Sequence, residues 1–508
     1  MDLALTILFY ILYLTAGVLA LLRWAHNLQL NSYQNRSQWR RFRQAPEKLF
    51  CLLPLVPALV FSFLPFPWAK IVTLVFLGIS CLTLKPTKAK KPLVFTARVK
   101  RLLTVAAGLT VLFAAGGWFV PALSVGALLL SPLVMLFANL LCAPMEKAVR
   151  NWYINDAKRI LNACPELLIL GVTGSYGKTS VKSYLGALLN AGFDTLITPE
   201  SFNTPMGVVR TVRENLRPTH EIFVCEMGAR HVGDIKELCD LVHPKHGVIT
   251  AVGNQHLESF RTKENIRKTK YELADALPPE GKLFVNGDCP AIRENPPARP
   301  YLTYGLSEGC DYRAVDMELT LSGTAFTVEF PDGTSQRYRM PLIGEHSVVN
   351  VTGAIAVCHA FGIHPSALVP AMRKLKSVPH RMELLPGPIT YIDDAYNSNP
   401  AGCKAALDTL ARFDACKILV TPGMVELGSA WEEENKAFGR HAARVCDLCV
   451  LVGERQAEPI KKGLLEAGYP EERIAVVSTL QEGLARVNGF YSEKKKVVLL
   501  ENDLPDNY

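Results

Sequence analysis

An α/β protein carried on apolar N-terminal helices is what this 508-residue sequence predicts. Three observations predict it. The long apolar runs crowd into residues 1–145. Short apolar strands then alternate with helical segments from residue 166 onward. A glycine-rich turn joins the first of those strands to the first of those helices.

The apolar half comes first. Leu3–Leu22 is long enough to span a bilayer. The stretches 49–64 and 67–84 are shorter, carry Pro54, Pro57 and Lys70, and read as a tilted hairpin. Residues 102–120 and 122–142 read as further spans, about five in all. The first run has no basic start and no small-residue cleavage site, which argues against a signal peptide. The net charge of +8 is concentrated in "RSQWRRFRQAPEK" (36–48) and "KPTKAKKPLVFTARVKR" (85–101), between the apolar runs. Basic loops of this kind mark the cytoplasmic side, so the expected arrangement is multi-pass in the cell membrane, N-terminus outside and residues after 145 inside. No basic stripe interleaved with aromatics points to nucleic acid. The 13 cysteines are scattered and several lie in apolar segments, which fits a reducing compartment. One CDLC, Cys446 and Cys449, lacks the second pair or histidines of a zinc site and reads as two buried thiols near a strand.

Residues 146–166 read as a linker helix, and 167–377 as a central domain. "ELLILGV" (166–172) is its first strand, "GVTGSYGKTS" its glycine turn, and a helix begins at Thr179. Strand, glycine loop, helix is the context of a phosphate loop. Yet the usual G-x-x-x-x-G-K-[ST] spacing fails, because Val172 stands five positions before Gly177. Gly174 and Gly177 allow close backbone approach to an oxyanion, the helix N-terminus aims N–H groups at it, Lys178 adds charge, and Thr179 offers a hydroxyl to magnesium. Strands at 195–199, 221–226, 247–252 and 282–288 make a mainly parallel sheet. Ligands meet such sheets at the strands' carboxyl ends, where Glu226 and His256 fall, and both can ligate a divalent ion.

A second domain spans 378–508. "VPHRMELLPG" (378–387) is the join, and "ITYIDDAYNSNP", "CKILVTPGM", "LCVLVGE", "RIAVVST" and "KVVLLEN" alternate with helices, a smaller Rossmann-like fold. "DDAYNSNP" also reads simply as a capped turn before the helix from Ala401.

The run of motifs resembles the Mur ligase family, ATP-dependent amide-forming enzymes of peptidoglycan synthesis. "TGSYGKT" is similar to the family's shortened phosphate loop, T-G-[ST]-x-G-K-[ST], so the failed spacing is the family's own. On that resemblance Thr173, Gly174, Ser175, Gly177, Lys178, Thr179 and Ser180 contact ATP. "SFNTPMGV" resembles the asparagine motif, with Asn203 on the substrate side. "EMGAR" and "HLESF" resemble the magnesium motifs, giving Thr179, Glu226, His256 and Lys270 as metal ligands and Lys178, Lys270, His256 and Glu226 as the catalytic set. "RKTKYEL" resembles the segment whose lysine, here Lys270, is carbamylated in many members. Residues 301–343 resemble a β insertion of the family, closing on "GEHSVVN" with Asn350 beside adenine. Arg381 is expected at the phosphates, Asp393 at the ribose, and Tyr396, Asn397 and Asn399 along the nucleotide edge.

The sequence also departs from the family. Apolar spans stand where relatives carry a UDP-gripping domain. Glu501 and Asp503 stand where a K-G-S-R segment is common, and Asn435 about where a histidine is common. The expected function is therefore ATP-dependent joining of a carboxylate to an amine through an acyl phosphate. ATP and Mg2+ are the expected cofactors, and a cell-wall precursor and an amino acid or peptide amine the partners at the bilayer. The lost UDP domain suggests a lipid-linked precursor. Two readings compete. An ATP-driven transporter would couple the spans to the loop, but they hold few ionisable residues beyond Lys70. A non-catalytic scaffold would not need Lys178, Glu226, His256 and Lys270 together.

Overall fold

The structure, a computed structural model, describes residues 2–44, 46–86, 92–253, 257–320, 323–395, 399–425 and 427–503. The chain divides into two compact units, Met1–Trp152 and Tyr153–Tyr508.

The first unit is helical among its described residues. Three helices are long and apolar enough to cross a membrane by length and composition: Leu3–Leu30, Ala97–Gly117 and Ser131–Asn162. The apolar helices Leu49–Ser62 and Pro67–Thr83 are shorter. The expected single span over 122–142 differs: it breaks at Leu130 into helices Pro121–Leu129 and Ser131–Asn162. Pro132 at the second helical position explains the restart, since proline begins a helix readily but cannot continue one. The expected division between span and linker near residue 145 is absent, for one helix runs from Ser131 to Asn162 through Pro144. Trp24 and Tyr13 are buried at the centre, where Trp24 Nε1 donates to Ser131 Oγ at 3.0 Å and the Tyr13 hydroxyl to Thr110 O at 2.9 Å. Such bonds let polar aromatics fill an apolar interior.

The second basic block is tied to the first helix and to Glu146. Arg23 donates to the carbonyls of Thr83 and Lys85, Gln29 bonds Val94, the Arg98 guanidinium sits 3.9 Å from the Tyr33 ring centroid, and Arg101 pairs with Glu146 at 2.7 Å.

The second unit holds two sheets. The larger has nine strands: β1 (Leu168–Thr173), β2 (Thr195–Ile197), β3 (Ile222–Glu226), β4 (His246–Ile249), β5 (Leu283–Asn286), β6 (Leu302–Gly305), β7 (Tyr312–Thr320), β8 (Gly323–Glu329) and β9 (Ser335–Met340). Their order is β2-β3-β1-β4-β5-β6-β7-β8-β9. The first seven strands in this order pair in parallel, while β7–β8 and β8–β9 are antiparallel. Residues 301–343, expected as a β insertion, form β6–β9 at one end of this sheet.

Why these segments form strands is visible in their two faces. Successive side chains point to opposite sides of a sheet. Leu170 and Val172 of β1 pack with Val181, Leu185 and Val351, whereas Ile169 packs with Val208, Leu238 and Leu273. Both faces are covered by helices, so the strands read as unbroken apolar runs rather than alternating ones.

The second sheet has six strands: β10 (Glu383–Leu385), β11 (Thr390–Asp394), β12 (Cys416–Thr421), β13 (Leu448–Val452), β14 (Ile474–Val477) and β15 (Lys496–Glu501), ordered β10-β11-β15-β12-β13-β14. All pairings are parallel except β10–β11. Cys446 and Cys449 are buried free thiols beside β13. No group of three or more histidine, cysteine or carboxylate side chains is placed to hold a metal among the described residues. Asn435 is fully buried and clamps the turn after β12, accepting from Met424 N at 2.9 Å and donating to the carbonyls of Met424 and Trp431.

Candidate active site

The site is built where β1 ends. Gly174 (φ 152°) and Gly177 (φ 80°) shape the loop that follows. A Cβ on Gly174 would meet Thr250 Oγ1 at 2.1 Å, and one on Gly177 would meet Asn350 Oδ1 at 2.8 Å. Only glycine satisfies both the backbone angles and the space. The helix Lys178–Leu189 starts directly after Gly177, so its free N–H groups open onto the loop.

Lys178 Nζ is folded back on the loop, donating to Gly174 O at 2.6 Å and Ser175 O at 3.1 Å. Burial lowers its pKa to about 8, against the pull of Glu226, with Arg381 lowering it further. Thr173 and Ser175 spend their hydroxyls on holding the loop in place. Thr173 Oγ1 donates to Met227 O at 3.0 Å, and Ser175 Oγ bonds both the carbonyl and the N–H of Gly253.

Register places Glu226 opposite Val172, at the carboxyl end of β3 beside the loop. Its side chain is fully buried. Thr179 Oγ1 donates to Glu226 Oε1 at 3.1 Å and Asn203 Nδ2 donates to the same oxygen at 3.0 Å. Two residues far apart in sequence are therefore gathered on one oxygen of Glu226. The backbone fixes the arrangement, since Gly228 N donates to Asn203 O at 2.8 Å.

One member of the cluster escaped the sequence reading. Lys182 is 2% exposed, and its Nζ lies 2.9 Å from Glu226 Oε2. Its signal was present: Lys182 is one helical turn beyond Lys178 and so shares its face. Lysine is almost never fully buried unless paired.

Lys270 is 2% exposed on the helix Lys263–Ala276 and faces the Phe260 ring at 6.0 Å. Burial first, then the Lys178 charge, brings its pKa down to about 7. His256, expected beside it, lies outside the described residues, as do Tyr396 and Asn397.

A cavity of about 300 Å³ opens next to the loop, between the two sheets of this unit. Gly177, Ser180 and Asn350 line it from the larger domain, and Arg381, Asp394 and Asn399 from the smaller. Asn399 caps the helix Pro400–Ala411, its Oδ1 accepting from Gly402 N. Asp393, expected at a ribose, is directed elsewhere. Successive residues of β11 face opposite ways, and the Asp393 carboxylate meets His380 Nδ1 at 2.8 Å while Asp394 lines the cavity. Burial raises the Asp394 carboxyl to about 6, offset in part by the Met382 N–H and the Arg381 charge. Glu501 also lines the cavity, one strand over from Asp394 in register.

Residues 172–358 match the Mur ligase middle domain, and residues 380–501 the Mur ligase glutamate ligase domain. The UDP-N-acetylmuramoyl-tripeptide–D-alanyl-D-alanine ligase of Bacillus subtilis is 34% identical over 275 residues, 53% of this chain and 59% of that enzyme. The Escherichia coli enzyme of the same name is 30% identical over 295 residues, 56% of this chain and 65% of its own. The matched region thus spans less than two thirds of the length of these curated relatives. Among solved structures, MurF from Acinetobacter baumannii superposes with a TM-score of 0.63 at 28% identity, covering 70% of this chain and 77% of that one. MurF ligase from Thermotoga maritima in complex with ADP superposes with a TM-score of 0.63 at 26% identity, covering 70% and 80%.

Proposed function

This chain belongs to the Mur ligase family, and from that premise we propose that it is an ATP-dependent ligase joining a carboxylate to an amine on a cell-wall precursor. The observation that carries the reading is the convergence of Thr179 and Asn203 on one oxygen of Glu226, beside a loop whose lysine and glycines suit phosphate. A hydroxyl and a carboxylate are hard oxygen donors, the type magnesium takes together with substrate phosphates. ATP and magnesium therefore fit these residues, with Thr179 and Glu226 holding the ion and the glycine loop the phosphates. His256 and Lys270 complete the proposed metal set. When bound, the nucleotide and ion supply a transferable phosphoryl group and neutralise its charge.

The residues of the chain do the rest by position. Lys178 brings a cation to the loop itself, and Arg381 lines the cavity from the smaller domain. Lys182 pairs with Glu226 and keeps it aimed at the loop. The phosphoryl group passes to a substrate carboxylate, an amine attacks the acyl phosphate at carbon, and phosphate leaves. Closure of the two domains over the cavity would exclude water that competes with the amine. Lys270, with its amine near neutrality at physiological pH, is suited to take up carbon dioxide; the carbamate is an anion that can ligate a metal where an ammonium cannot.

The finer reading is that the acyl substrate is lipid-linked and met at the cytoplasmic face of a membrane. The apolar helices of residues 1–145 support it. The test is ADP release from detergent-purified full-length protein, given UDP-linked or lipid-linked precursors with candidate amines, and Lys178→Ala as control. Release that needs both a precursor and an amine supports the ligase; background rates for every pair, with ADP still bound, would refute it. A soluble UDP-linked precursor turned over as fast as any lipid-linked one would refute the lipid reading alone.

A further inference from the structure

The outer face of β7–β9 carries a second concavity, of about 370 Å³. That lies at the small end of ligand-sized pockets. Arg337 and Arg339 of β9 project into it from one side and Arg373, just past the short helix Val369–Met372, from the other. The alternation of β9 explains the pairing: Tyr338 between them is buried in the core, so both arginines must point outward. The floor is made of small residues. Gly323 and Ala325 of β8 lie beneath, and Ala325 pairs directly with Arg339. Gly323 has a φ of 129°, and a Cβ there would strike Met340 O at 2.1 Å, so no larger residue can fill the space.

The charge does not balance. Glu318 is the one carboxylate lining the hollow, and it pairs with Arg337 at 2.9 Å. The guanidiniums of Arg339 and Arg373 have no hydrogen-bond or ion-pair partner among the described residues. Three cations against one anion leave two positive charges facing one small space. Guanidinium groups present fixed forks of donors that match phosphate oxygens. A single carboxylate would leave one arginine unanswered; a diphosphate or a phosphate diester with neighbouring oxygens would engage both.

We propose that this concavity is a binding site for a phosphate-bearing anion of diphosphate type, separate from the glycine loop. The phosphate can come from a soluble molecule or from a lipid headgroup, and the chemistry of recognition is the same. The inference stands apart from the ligase reading, since neither Arg339 nor Arg373 lines the nucleotide cavity.

The experiment uses full-length protein carrying Lys178→Ala, so that the glycine loop is weakened as a competing site. Inorganic pyrophosphate is titrated calorimetrically into this protein and into the same protein with Arg339→Gln and Arg373→Gln. One saturable event is expected, weakened at least tenfold by the two glutamines. Arg339→Lys with Arg373→Lys should recover only part of it, because charge returns without the forks. Repeating the titration in micelles with phosphatidylglycerol or with phosphatidylcholine separates the sources. Suppression of the event by phosphatidylglycerol alone identifies a lipid headgroup, and indifference to lipid identifies a soluble phosphate. No event in the Lys178→Ala protein, or one that the glutamines leave unchanged while the melting temperature is also unchanged, overturns the proposal.

Discussion

His380 Nδ1 lies 2.8 Å from Asp393 Oδ2, and this contact holds one side of the segment that carries Arg381 to the cavity beside the glycine loop. The other side is held by Asp394, whose Oδ1 accepts from Met382 N at 3.1 Å. Both neighbours of Arg381 sit in the left-handed region, His380 at φ 60° and Met382 at φ 49°. That conformation costs roughly 1–2 kcal/mol per residue, so the carboxylates offset a backbone under strain. Asp393→Asn should weaken ADP binding about threefold to tenfold, the worth of about 1 kcal/mol for one partly exposed bond. Arg381→Ala should weaken it more. Calorimetric titration of ADP checks both, and an Asp393→Asn protein with native affinity would show that Arg381 keeps its place unaided.

Lys182 and Glu226 form a buried pair, with side chains 2% and 1% exposed. Removing one partner strands the other charge in the interior, which costs about 3–5 kcal/mol. Lys182→Met should therefore lower the urea midpoint markedly, and Glu226→Gln in the same chain should restore part of the loss. An uncompensated double variant would mean the two residues contribute independently.

Lys270 sets a pH dependence with a definite sign. Its folded pKa is lowered to about 7, whereas an unfolded lysine titrates near 10.4. Between those values the unfolded chain binds more protons than the folded one, so stability rises with pH. Below about pH 7 the penalty of burying the ammonium is present in full. Lys178, lowered to about 8, contributes in the same direction. Denaturation midpoints across this range should climb with pH more steeply in the native protein than in Lys270→Met. Parallel slopes would place the Lys270 amine in water.

Gly177→Ala should abolish nucleotide binding with little loss of fold. The backbone at φ 80° costs a residue with a Cβ roughly 1–2 kcal/mol, and the new carbon would sit 2.8 Å from Asn350 Oδ1. The loop must move, and the helix N-terminus moves with it. ADP titration alongside far-ultraviolet circular dichroism separates the two effects.

The glycine loop and its companions were legible because their chemistry is local. "GSYGKT" gives the turn, the cation and the hydroxyl within six positions, and Glu226 sits at a strand's end where ligands bind. Lys182 was missed because its role depends on a carboxylate 44 positions away in the chain. Which of Asp393 and Asp394 faces the cavity was not legible for a simpler reason: adjacent residues on a strand face opposite sides, and nothing within "IDD" tells which side holds it. The helical unit was the least legible. Apolar content marks a segment as buried or lipid-facing, but the break at Leu130 depends on Pro132 alone, against apolar residues on both sides.

The antiparallel strands β7–β9 share the core of the strand that carries the glycine loop. Phe326, Val328, Tyr338 and Met340 pack in one cluster with Val172, Val181 and Leu185. Deleting 312–340 to obtain a smaller protein would therefore leave β6 as a bare margin with its amides and carbonyls unclaimed, and would uncover the apolar flank of the helix Glu345–Ala360. Exposed margins of that kind recruit strands from other molecules. The shortened chain should be lost to self-association during expression before its chemistry could be assayed, and point changes on the outer face are the practical way to interrogate this part of the sheet.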